Sequence, residues 1–120
     1  MSQFSRATAI EQLEAKAFEV QRKLAEAGYA PFLFLVTLER LDQGTAGCFY
    51  LDSETVAVSE DYFKFDSDFC LNTVIPHEMA HLYVSKYFVD ATEDHGKEFA
   101  MVMMALGLAP DATHTLPFLN

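Results

Sequence analysis

The chain has no tryptophan, two cysteines, and eight lysines and arginines against eighteen acidic residues. Cys48 and Cys70 lie far apart and form no Cys-x-x-Cys pair, which excludes a zinc ribbon or a redox motif built from them. Their apolar surroundings suit buried, reduced thiols. The basic residues form no run and the net charge is −10. A nucleic acid would meet a repulsive average field, so direct binding would need a partner. The acid excess itself is read as a solubility feature. Long apolar runs are also missing. Met1-Ser2-Gln3-Phe4-Ser5-Arg6 has no signal-peptide character, and no stretch is long enough to cross a bilayer. The expectation is an intracellular, cytoplasmic protein, from a cell or a virus, with no membrane partner.

What is present suits one domain over residues 1–120: half the residues are hydrophobic and 13% are aromatic. Ile10, Leu13, Ala17, Val20, Leu24 and Ala27 make one apolar stripe at helical spacing. Thr8 with Glu11 reads as a capping box, and Gly28 as the stop. Phe32–Glu39, Ala46–Leu51 and Thr55–Val58 read as short strands. The turn Asp42-Gln43-Gly44 and the pair Asp52-Ser53 separate them. Hairpin-type connections predict a small, mostly antiparallel sheet. A helix is expected over residues 69–89, capped by Asp68 or Asn72, with Pro76 forcing a late start or a kink. A further helix is expected from about Gly96 to Leu106, stopped by Gly107, with an extended tail from Ala109 to Asn120. The fold class is therefore α+β.

Residues 77–81 read His-Glu-Met-Ala-His. On a helix His77 and His81 project from one face, one turn apart, so both can reach a single metal ion. A catalytic zinc takes three protein ligands and keeps one open position. The third ligand must come from another element. His95 is the leading candidate, far enough downstream for the chain to turn back, with Gly96 beside it permitting a close approach. Glu93, Asp94 and Glu98 compete as oxygen ligands. Glu78 is placed to take a proton from a zinc-bound water as it attacks a peptide carbonyl, and to pass it to the leaving amine. An extended peptide could add to an exposed sheet edge, at Ala46–Leu51 or Thr55–Val58. Tyr50, Tyr62, Tyr83, Tyr87 and His114 are candidate oxyanion donors.

Val74-Ile75-Pro76-His77-Glu78-Met79-Ala80-His81-Leu82, then His95-Gly96-Lys97-Glu98-Phe99, Gly107-Leu108 and Thr113-His114 resemble the SprT family. These are zinc metallopeptidase-like domains that include bacterial SprT proteins and the eukaryotic protease Spartan. The resemblance is strongest over residues 74–114. It implies a minimal zincin-like metalloprotease core and zinc as cofactor. It also implies metal ligation by His77, His81 and His95, catalysis by Glu78, and a protein or peptide substrate. Family members commonly continue into a C-terminal zinc ribbon, for which this chain has no cysteines. Spartan acts on proteins crosslinked to DNA through DNA-binding parts outside its protease domain; nothing in this sequence supplies such parts, so DNA-dependent activity is not carried over and would need a partner. The alternative reading is a catalytically silent, metal-bound module with this fold that binds protein or nucleoprotein. Oligomeric state is left open.

Overall fold

The computed structural model describes residues 4–88 and 96–108. Helix α1 (Arg6–Glu26) opens the chain. Its N-cap is Ser5, whose hydroxyl accepts from the Thr8 backbone N–H, so the cap lies three residues before the expected one. The side buried is Ala9, Leu13, Ala17, Val20 and Leu24. Ala9 takes the place expected of Ile10, and Ala27 is exposed at the C-cap. Gly28, at φ +103°, ends the helix. The Tyr29 N–H then donates to Leu24 O at 2.9 Å and the Gly28 N–H to Ala25 O at 3.1 Å, a Schellman closure that satisfies the last carbonyls.

Three strands follow: β1 (Leu35–Glu39), β2 (Gly47–Tyr50) and β3 (Thr55–Ser59). The order in the sheet is β1-β3-β2. β3 pairs antiparallel with β2, as the hairpin signal predicts, but parallel with β1. The sheet is therefore mixed, which corrects the mostly antiparallel expectation. The physical reason lies in β3: all five of its residues are buried, and a strand covered on both faces belongs in the middle. It inserts between its two predecessors and leaves β1 and β2 at the edges. Arg6 spans from the start of α1 to the carboxylate of Glu60 and the carbonyl of Leu38 on β1.

Ser59 ends β3 and also caps α2 (Glu60–Phe65), accepting from the Tyr62 N–H; Glu60 and Asp61 favour the positive helix start. This short helix was not expected from the sequence. Asp66 then caps α3 (Ser67–Phe69), neither Asp68 nor Asn72 being the cap. A π-helical turn over Cys70–Val74 leads into α4 (Ile75–Tyr87). Pro76 falls in the first turn of α4, where its missing N–H costs least. The wide turn before it takes up the disruption, and the helical path neither starts late nor breaks. Helix α5 (Lys97–Ala105) closes on Gly107 with the same pair of bonds as α1.

α1, α4 and α5 pack together, and α4 also lies against β2 and β3. Every residue from Ile75 to Val84 is buried, so α4 is the centre of the core. No helix among the described residues is long and apolar enough to cross a membrane.

Candidate metal centre

The central helix carries the three motif residues inward. His77 and Glu78 are 0% exposed and His81 6%, which makes them part of the core and leaves them little solvent. Helical spacing brings the two imidazoles together: their ring centroids are 4.7 Å apart, with the planes at 80°. His77 Nε2 lies 4.0 Å from Glu78 Oε2. Neither oxygen of Glu78 accepts a hydrogen bond among the described residues. Burial without such partners favours the neutral acid and pushes the Glu78 pKa up to about 8.

Two other elements complete the surroundings. Phe49 on β2 stacks on the His81 ring, at 5.4 Å between centroids and 14° between planes. Phe99 on α5 meets both histidines, at 5.2 Å from His77 and 4.7 Å from His81. Gly47 sets how closely β2 approaches α4. A Cβ there would stand 2.4 Å from Val74 Cγ1, 3.2 Å from Ala57 O and 3.3 Å from Glu78 Cγ. Only a residue without a side chain lets the strand lie this close to the glutamate stem. Sequence reasoning missed Gly47 and Phe49. The signal for the first was present, since an isolated glycine opening a strand marks a close backbone approach. Phe49 had no signal, because its contact crosses from strand to helix.

His95, Glu93 and Asp94 lie outside the described residues, as does His114. The described residues alone hold no group of three His, Cys, Asp or Glu able to bind a metal. Glu98, half-buried in the first turn of α5, thus completes no such group with His77 and His81. Among the described residues, the hydroxyls of two candidate oxyanion tyrosines, Tyr50 and Tyr87, are hydrogen-bonded away from the histidines. Strand alternation puts Cys48 and Tyr50 on the sheet face opposite Gly47 and Phe49, and the Tyr50 hydroxyl donates to Glu39. Tyr83 and Tyr87 meet the rings of Tyr29 edge-on and of Phe32 at a tilt. The Tyr87 hydroxyl donates to Ala30 O. Tyr62 is half-buried against the core on α2. Both cysteines are free thiols; Cys70 is buried, and Cys48 half-buried.

Two imidazoles and a carboxylate thus lie on one buried helix segment, framed by an edge strand and a second helix, and all three are side chains of types that bind metals. The family model described as the SprT-like family matches residues 9–116, and the chain belongs to that family. Curated relatives named Protein SprT are similar to it. The one from Pseudomonas paraeruginosa is 30% identical over 77 residues, covering 63% of this chain and 47% of the relative. That from Pseudomonas fluorescens is 28% identical over 95 residues, covering 78% and 58%. That from Glaesserella parasuis is 32% identical over 76 residues, covering 62% and 48%. The chain thus spans about half the length of the curated relatives it matches. No solved structure matches it. Family membership is compatible with a metallopeptidase-type role and with zinc; the relatives' name states no activity.

Proposed function

We propose that this chain is a zinc metalloendopeptidase of the His-Glu-x-x-His type, built on a single zincin-like core over residues 1–120. The observation that carries the reading is the pairing of His77 and His81 on one helix face beside a buried carboxylate that accepts no hydrogen bond among the described residues. A buried ionised carboxylate is costly unless a cation or donors compensate it, so the donor set fits a bound cation. His77 and His81 would hold the metal. His95 is proposed as third ligand, on its spacing and on the family pattern. Zinc, when bound, supplies a Lewis acid that polarises a carbonyl and makes water nucleophilic near neutral pH. Glu78 would take the proton of the attacking water and return it to the leaving amine. β2, at the sheet edge beside the motif helix, is the proposed surface on which an extended peptide adds as a further strand.

A second reading has one observation in its favour. Full burial of His77 and Glu78 restricts substrate access among the described residues, which suits a metal-bound module that binds protein or nucleoprotein without cleaving it. Elemental analysis of protein purified without chelators tests the metal, with about one zinc per chain expected. Glu78→Gln tests the chemistry: it should retain zinc and lose peptide cleavage. Cleavage undiminished in that variant refutes the assigned role of Glu78. A zinc-loaded parent that cuts nothing in a broad peptide library favours the binding module.

A further inference from the structure

We propose that Phe49 is a positioning residue for His81: the edge strand fixes the direction of the imidazole by laying an aromatic ring flat against it. The inference deepens the metallopeptidase reading, since its functional consequence is metal affinity.

An imidazole turns about a broad, roughly two-fold torsion, so the direction of its nitrogens needs a constraint from outside the helix that carries it. On its own helix face, His81 meets the His77 ring, nearly perpendicular at 80°. Phe49 supplies a near-parallel surface, tilted by only 14°. Phe99 approaches from α5 at 37°. The two phenylalanines differ in what else they do. Phe99 is wholly buried in the core and also touches His77, so its loss would disturb packing generally. Phe49 is half-buried on an edge strand, and its principal ring contact is His81.

Phe49 can only act this way if β2 itself is held against α4. Two residues earlier on the same strand face, Gly47 seats the backbone on Val74 and the stem of Glu78. One strand therefore meets two of the three chemically active side chains of the motif helix, Glu78 through a gap at Gly47 and His81 through a ring at Phe49. This makes β2 an orienting wall for the site, the kind of support whose removal weakens metal binding about 10- to 100-fold.

The test compares Phe49→Leu, which keeps apolar bulk but loses the flat ring, with Phe49→Tyr, which keeps the ring. Both are checked for a native circular dichroism spectrum. Zinc affinity is measured by competition with a chromophoric chelator, and ligand geometry from the visible absorption of the cobalt(II)-substituted protein. The Leu variant should bind zinc about tenfold more weakly and show an altered cobalt spectrum; the Tyr variant should restore both. A Leu variant equal to the parent in affinity and spectrum overturns the proposal. Should the parent take up no zinc, the metallopeptidase reading fails, and the His81 ring-proton shifts of the metal-free protein decide on Phe49. Upfield displacement that is present in the parent and Tyr variant but lost in the Leu variant supports the positioning role. Shifts unchanged in the Leu variant refute it.

Discussion

Replacing Gly47 by alanine asks whether the strand and the motif helix are locked by shape. The new methyl would stand 2.4 Å from Val74 Cγ1, well inside van der Waals contact, with Ala57 O and Glu78 Cγ also close. Overpacking of this kind costs about 1–3 kcal/mol. Val74 is fully buried, and Val74→Ala removes two carbons and leaves a small cavity, costing roughly 2 kcal/mol. The double variant places the added methyl where the valine branch was. Its total cost should therefore fall short of the sum of the singles by about 1–2 kcal/mol, because each change relieves the defect created by the other. Gly28→Ala is the control. It meets nothing within 4 Å, but its φ of +103° makes any side chain strained, so it should destabilise by about 1 kcal/mol and show no coupling to Val74→Ala. Equilibrium urea denaturation of the metal-free proteins, with the slope held common, gives all the terms. Costs for Gly47→Ala and Val74→Ala that add to within about 0.5 kcal/mol would refute the close-approach argument.

Further outcomes follow from the buried groups. Glu78 ionises at about 8 in the fold against an ordinary 4.5. Between those values the folded chain binds more protons than the unfolded one, so the stability of the metal-free protein falls as pH rises from about 4.5 to about 8. Glu78→Gln removes this loss. It should leave stability near the parent's at pH 4 and raise it by about 3 kcal/mol at pH 7, at about 1.4 kcal/mol per unit of pKa. A difference that does not change with pH in urea titrations contradicts the buried-carboxylate assignment. Zinc at 100 times its dissociation constant should stabilise the fold by about 2.7 kcal/mol, reversed by chelator; an unchanged thermal midpoint counts against a metal site. Burial pushes the Cys70 thiol up to about 12, so iodoacetamide at neutral pH should label it slowly in the native chain and rapidly in urea. Equal labelling rates in mass spectra refute its burial.

Local patterns were legible wherever one element settles them alone. The apolar stripe gave α1, and Gly28 its end. Alternation and turn residues gave three strands within a few residues of their bounds. The α1 cap was misplaced because Thr8–Glu11 and Ser5 both offer capping chemistry, and only the path of the entering chain selects between them. α2 escaped notice because six residues carry too little helical period. Pro76 signalled a disturbance, but its form, a π turn, depends on how α4 packs.

For the site, sequence by itself determined the pair His77 and His81 and the carboxylate between them, since four-residue spacing on a helix puts both rings on one side whatever surrounds them. It also determined the family, because the same residues carry the pattern over most of the chain. Tertiary structure alone decided that β3 is central and β2 is the edge beside the site, since strand order depends on which faces can be buried together. It alone brought Gly47 against Glu78 and Phe49 onto His81. Contacts between residues some thirty positions apart arise from packing a sheet against a helix, and no local period encodes them.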